Sequence, residues 1–426
     1  MKNHINSKLC PVLSSKILAQ SIEKVPIIIQ LKEESKINIK TLSSLSDEKF
    51  VELPIINAVG TLMNTDMIYK LIQNEDVEFI SFDSKVYTLL DVARKSIDAP
   101  FPQNSGYQGE GITVAVIDTG VSPHVDLTKP DNRIIGFVDI LNKKDFPYDD
   151  NGHGTHVAGI IAGNGYASRG KLMGVAPKAN ILAIKALDEN GSGTTSNILE
   201  AIEYAINTKE KYNTRIINLS IGTPSSIPSR FDPLSRAVRR AVKSGLVVVV
   251  AAGNSGPGAG TILSPGISEY ALTVGAVDDK RTIDTRDDTI APFSSRGPTK
   301  DGRIKPDILA PGVNINSLSN QKIDGYHALS GTSMATPLVS GSVSLLLNKE
   351  NSLTPAQVKE NLIKASIDLK TEETGGIGML NLKKLFLEEK KEEKKEEAKA
   401  ASVKDNSIFE SIFLILVLLF LLDSRL

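Results

Sequence analysis

Hydrophobic and polar positions alternate differently in the two halves of the chain. Val25 to Leu31 (VPIIIQL), Phe50 to Val59 (FVELPIINAV), Val77 to Phe82 (VEFISF) and residues 85–90 are short runs rich in β-branched residues, which predict strands. Among them, Asn64 to Gln73 (NTDMIYKLIQ) predicts a short helix that Asn64 or Thr65 can cap. Strands with one helix over so short a span predict a small α+β domain at 25–95, after an unstructured start at 1–24. The polar stretch from Ser96 to Gly111, with prolines and glycines, predicts a linker.

From Ile112 the pattern is one of apolar strands alternating with helices. ITVAVI (112–117), ANILAIKAL (179–187), RIINLS (215–220) and LVVVVAA (246–252) read as buried strands. Ser196 to Lys211 and Asp232 to Ser244 read as helices between them. Buried strands alternating with helices predict an α/β domain, at 109–385, whose parallel sheet carries helices on both faces. Ligand sites in such sheets form beyond the carboxyl ends of the strands.

Beyond that domain, EEKKEEKKEEAK (388–399) has acidic and basic pairs at helical spacing and predicts a charged, solvated linker over 386–407. Ile412 to Leu422 is wholly apolar. Extended back to Ile408, it makes 408–422 a candidate membrane segment, short of the ~20 residues a bilayer span needs. Met1 to Gln20 has scattered lysines and lacks the continuous apolar core of an export signal. The expectation is a cytoplasmic enzyme, or one on the cytoplasmic face of a membrane if the tail inserts. Lysines 390, 391, 394, 395, 399 and 404 would then stay inside.

Composition narrows the function. The 426 residues carry 49 Lys+Arg against 50 Asp+Glu, a net charge of −1, which speaks against a nucleic-acid partner. The single cysteine, Cys10, rules out an intrachain disulfide framework and a cysteine-based zinc site. Histidine chemistry must use His4, His124, His153, His156 or His327.

Four residues fall at the edge that the topology marks as functional. Asp118 follows the strand ITVAVI and is either an Asx turn beside Gly120 or a site carboxylate. His153, in NGHGTHVAG (151–159), falls in the first turn of a tightly packed helix. His156, on the same face, reads as a hydrogen-bonded core residue, because the zinc-protease pattern His-Glu-x-x-His is absent. Asn254, in AAGNSGP (251–257), is either a turn residue or an amide aimed at a developing oxyanion. Ser333, in GTSMATP (331–337), falls at a helix N-terminus if Pro337 lies in the first turn; there it is either an N-cap or a nucleophile. Together these are the parts of serine acyl transfer: nucleophile, base, orienting carboxylate and oxyanion donor.

VAVIDTG (114–120), NGHGTHVAG, AAGNSGP and GTSMATP, in that order, resemble the subtilisin-like serine proteases, the subtilases. The match spans about Gly109 to Ser366, and Ala291 to Gly312 (APFSSRGPTKDGRIKPDILAPG) looks most like the bacterial alkaline subtilisins that lack an export signal. The resemblance implies a serine endopeptidase working through an acyl-enzyme. It implies Ser333 as nucleophile, His153 as base, Asp118 as its orienting carboxylate, and Asn254 with the Ser333 N–H as the oxyanion hole.

It also implies that an extended polypeptide substrate lies between Gly191-Ser192-Gly193 and Ser220-Ile221-Gly222, read through its main chain with broad specificity. The primary pocket would lie near Ala251, Ala252 and Gly253. Residues 25–95 resemble the family's inhibitory, chaperone-like propeptide, so self-processing between about Leu89 and Gly109 is expected. Asp126 matches a family calcium ligand, but the segment 164–171 brings Arg169 and Lys171 where the calcium insertion would be, so no cofactor is expected to be required and the open alternative is a weak calcium site elsewhere. The rival readings are a catalytically silent subtilase acting as scaffold or inhibitor, and a peptide ligase using the same acyl-enzyme.

Overall fold

The computed structural model describes residues 8–10, 13, 24–35, 50–83, 92–369 and 377–387. The strand expected at 85–90, most of the charged linker, the apolar run at 408–422 and nearly all of 1–24 lie outside the described residues. Among the described residues, no helix is long and apolar enough to cross a membrane. The chain divides into two compact units, Met1–Thr88 and Leu89–Leu426.

The first unit is a four-stranded antiparallel sheet in the order β2-β3-β1-β4, made of β1 (Val25–Leu31), β2 (Phe50–Leu53), β3 (Ala58–Met63) and β4 (Val77–Phe82). Burial along β1 alternates residue by residue, the signature of a sheet with one covered face. Ile27, Ile29, Leu31, Val59 and Ile80 form the core, with Ile68 from helix α1 (Thr65–Leu71). Asn64 caps that helix, its side chain accepting the Met67 N–H at 2.9 Å. The single strand expected over 50–59 is instead a hairpin. Pro54 has no N–H for the ladder and starts a 3-10 turn, and Asn57 closes the turn at φ 45°. Leu53 then pairs with Ala58.

The second unit opens with α2 (Ala93–Ser96) and α3 (Pro100–Asn104), where a linker was expected. Ile97 and Ala99 are fully buried, and the Gln103 amide donates to the carbonyls of Gly174 and Val175. The segment reads as a linker because its few apolar residues are too widely spaced to show a period.

The main sheet runs β11-β10-β9-β8-β5-β7-β6, with β12 also paired to β10. Its strands are β5 (Thr113–Asp118), β6 (Ile134–Asp139), β7 (Asn180–Lys185), β8 (Thr214–Leu219), β9 (Val247–Ala251), β10 (Leu272–Asp278), β11 (Thr289–Ile290) and β12 (Ile308–Pro311). All pairings are parallel except β10 with β11. Every residue of β5 and β9 is buried, as expected of strands covered on both faces.

Alternate residues of those strands feed two cores. Val114, Val116, Val247 and Val249 pack against α5 (His153–Ala162) and the long α9 (Thr332–Lys349). Ala115, Ile117, Val248 and Val250 pack against α6 (Thr195–Asn207) and α8 (Pro233–Lys243). Each fully buried Val, Leu or Ile stabilises the fold by roughly 1.5–3 kcal/mol. Thr194 caps α6 through a capping box with Asn197, and Asp232 caps α8. The helix expected at 196–211 stops at Asn207, and 209–212 forms a separate turn of helix. The fold is α/β, with a mainly parallel sheet between helices.

Candidate active site

Asp118 is the last residue of β5 and is fully buried. Its Oδ1 accepts the Thr119 N–H at 2.8 Å and lies 2.7 Å from His153 Nδ1; Oδ2 is buried without a hydrogen-bond partner. His153 is the first residue of α5, set by Gly152 at φ 108°, a conformation L side chains avoid. Burial disfavours the His153 cation, but the charges of Asp118 and Asp149 and the Asp118 hydrogen bond outweigh it, so the imidazole titrates above its ordinary value.

Asp149, absent from the sequence analysis, holds these two groups together. One of its oxygens accepts from Thr119 Oγ1 at 2.8 Å and from the N–H groups of Asn151 and Gly152. The other accepts the Thr155 N–H at 2.9 Å and Thr155 Oγ1 at 2.7 Å. Thr119 Oγ1 in turn accepts the Gly154 N–H at 2.9 Å. The buried Lys185 ammonium holds the same turn from below, donating to the Thr119 and Leu187 carbonyls and to Asp150. A row of acidic residues before a helix was the only sequence signal for Asp149, and an ordinary surface loop carries the same signal.

Ser333 is the second residue of α9. Pro337 is the sixth, one turn deeper than the first-turn position the sequence suggested. Proline is tolerated there because of Ser220. A proline cannot donate to the carbonyl four residues earlier, which is that of Ser333, and Ser220 Oγ donates to that carbonyl at 3.0 Å. Asn218 and Ser340, hydrogen-bonded to each other, hold the Ser220 hydroxyl through the Asn218 amide. Ser333 Oγ donates to the Ser220 carbonyl at 3.1 Å. The structure therefore pairs His153 with Asp118 and rests the Ser333 hydroxyl on Ser220, with no His153–Ser333 hydrogen bond.

Asn254 follows β9. Its Oδ1 accepts from the Thr332 N–H at 2.9 Å and from Thr332 Oγ1 at 3.0 Å. The carbonyl end is thereby fixed and Nδ2 is turned away from it. A Cβ built on Gly331 would lie 3.3 Å from Asn254 Nδ2 and 3.7 Å from Ser333 N. Two N–H donors thus flank one small space at the start of α9, a space that any side chain at 331 would fill.

A cleft of about 540 Å³ is lined by His153, by Gly191, Ser192 and Gly193, and by Ser220, Ile221 and Gly222. Ala251, Ala252 and Gly253, expected near a primary pocket, do not line it. Ala251 and Ala252 are buried, and Gly253 donates its N–H to Thr332 Oγ1 at 3.2 Å.

His156 is fully buried, with Nε2 at 3.0 Å from the Ile315 carbonyl and 3.1 Å from that of His327. Burial, with the neighbouring His327 and His153, pushes it down to about 3, so it stays neutral.

Asp126 is fully buried and its carboxylate is already committed. One oxygen accepts the Ala167 N–H at 2.8 Å and the other the Tyr326 hydroxyl at 2.7 Å. The Arg133 guanidinium donates to the carbonyls of Asp126, Ala162 and Ala179. Carboxylate oxygens spent on protein donors, with a guanidinium on the adjacent carbonyls, fit a calcium ion poorly.

The subtilase family model matches residues 109–398. The chain is 43% identical over 348 residues to the serine protease AprX of Bacillus subtilis (strain 168), covering 76% of this chain and 78% of that protein. It is 38% identical over 285 residues to subtilisin Savinase of Lederbergia lenta, covering 67% and 94%. Among solved structures, sphericase superposes with a TM-score of 0.55 at 31% identity, covering 66% of this chain and 91% of that one. A cold-adapted subtilisin-like serine proteinase superposes with a TM-score of 0.53 at 32% identity, covering 65% and 90%. With a matching domain, a matching fold and serine proteases as relatives, the chain belongs to the subtilase family and is a serine endopeptidase.

Proposed function

We propose that this endopeptidase cleaves peptide bonds through an acyl-enzyme on Ser333, with His153 as base, Asp118 as its orienting partner, and Asn254 Nδ2 and the Ser333 N–H as the oxyanion hole. The observation that carries this reading is the pair of donors flanking one space beside Gly331. Donors fixed where charge develops, and at a helix N-terminus, stabilise a tetrahedral oxyanion without reorganising.

In the first half-reaction Ser333 Oγ leaves the Ser220 carbonyl, gives its proton to His153 Nε2 and bonds to the scissile carbonyl carbon. The oxyanion forms between the two donors. His153 then gives the proton to the departing amine as the C–N bond breaks, leaving an ester on Ser333. In the second half-reaction a water loses a proton to His153 and attacks the ester, and collapse returns the proton to Ser333. Asp118 keeps the Nδ1 proton on its own side of the ring and stabilises the imidazolium in both halves. The 191–193 and 220–222 segments hold the substrate as an added strand, which reads main chain and predicts broad specificity. No step requires a cofactor.

Hydrolysis of casein by wild type beside Ser333→Ala tests this reading. We expect the variant to lose at least ~10³-fold in kcat while folding normally. Retained turnover would remove Ser333 from the mechanism.

We further propose that the Met1–Thr88 unit is the enzyme's own inhibitory and chaperoning partner. Its separate sheet and core support that reading. The apolar run at 408–422 is the candidate membrane contact, and carbonate extraction of membranes reports whether it inserts.

A further inference from the structure

The β10–β11 hairpin carries a buried carboxylate that no hydrogen-bond donor satisfies. Val277 pairs with Ile290 and Asp278 with Thr289. One step further along this antiparallel register, Asp279 stands opposite Asp288. Residues opposite each other share a face with Cβ atoms about 5 Å apart, and like charges in that position repel. Both residues are buried, Asp279 at 3% and Asp288 at 2% exposure. Both carboxylate oxygens of Asp288 are buried without a hydrogen-bond partner. Asp279 accepts the main-chain N–H of Arg281 at 3.0 Å.

Two cations act on the pair, the Lys280 ammonium favouring ionised Asp288 and the Arg281 guanidinium favouring ionised Asp279, but neither makes a hydrogen bond to the Asp288 carboxylate. Lys280 Nζ pairs with Asp278 at 2.6 Å, and Arg286 pairs with Asp284. Asp287 accepts from Thr282 Oγ1 at 3.2 Å. Burial and then the charges of Asp279, Asp287 and Asp278 push the Asp288 carboxyl up to about 7, against the pull of Lys280. A buried carboxylate with no hydrogen-bond donor costs several kcal/mol to ionise. An orphan of this kind marks a missing ion or water.

We propose that Asp279 and Asp288 are the anionic ligands of a calcium-binding site at the mouth of this hairpin. Among the described residues, no three metal-ligating side chains stand together. Main-chain oxygens and water therefore complete the shell, which suits calcium's variable oxygen coordination better than magnesium's strict octahedron. Two carboxylates set a weak site, with a Kd on the order of 0.1–1 mM. The site lies outside the catalytic groups and serves stability, holding the hairpin closed.

Full-length protein in a Ser333→Ala background, which removes self-digestion from the measurement, is melted in chelator and in 10 mM CaCl2 or MgCl2. CaCl2 is expected to raise Tm by several degrees, MgCl2 by less, and titration calorimetry to show a heat that Asp288→Asn abolishes. Asp288→Asn should lose most of the calcium-induced rise in Tm. Asp279→Asn gives the same comparison if Asp288→Asn fails to fold. The proposal is overturned if calcium leaves Tm unchanged, if MgCl2 acts as strongly as CaCl2, or if the folded variant keeps the full shift.

Discussion

At the scale of single residues, the proposed mechanism makes the Asp118–His153 contact set the acid side of the enzyme's pH range. His153 must be neutral to accept the serine proton. Its pKa is raised by Asp118, so activity climbs as pH rises through that raised value. Asp118→Asn removes the charge that holds the proton. The acid limb of kcat/KM should then move to lower pH while kcat falls by roughly 10⁴-fold, since the tautomer is also wrong. A pH–rate profile of the variant beside wild type reads both effects, and an acid limb that stays in place would contradict the pairing. The same contact contributes stability that is fully present below the unfolded histidine pKa and is lost as pH rises through the folded one. His156 has the opposite sign: its pKa is lowered to about 3, so its contribution fades as pH falls from 6.5 toward that value.

At the scale of elements, β1, β5 and β9 and the capped helices α1, α6 and α8 follow directly from local apolar patterns and end residues. Hidden features all depend on distant partners. Pro337 sits inside α9 because Ser220, far away in sequence, takes up the carbonyl that proline leaves free. The helices at 93–104 exist because Ile97 and Gln103 find the catalytic unit's interior. Asp118, His153, Asn254 and Ser333 stand out as candidates because each sits in a long local motif. Asp149 does not, since its meaning lies in the donors it collects from Thr119 and α5. Packing between those elements leaves no slack: a Cβ on Gly154 would overlap the Gly120 carbonyl and crowd Asp118 Cβ at 3.1 Å. Gly154→Ala should therefore destabilise the protein by about 1–3 kcal/mol and depress kcat more than KM. Thermal melts and steady-state kinetics check this, and an unchanged kcat would mean that α5 can shift without moving His153.

At the scale of the whole molecule, two units with separate cores make a two-stage life history testable. If the Met1–Thr88 unit is a self-removed partner, purified wild type should lack it. Intact-mass spectrometry would place the new N-terminus between about Leu89 and Gly109, and Ser333→Ala should stay full length. Two full-length proteins would make the N-terminal unit permanent. The Asp149 carboxylate bears on how such a partner can act. It fastens the turn after Asp118 and the start of the His153 helix to the same two oxygen atoms, so displacing either element breaks hydrogen bonds that hold both. An inhibitor of this protease is then expected to act by filling the cleft and leaving these groups assembled.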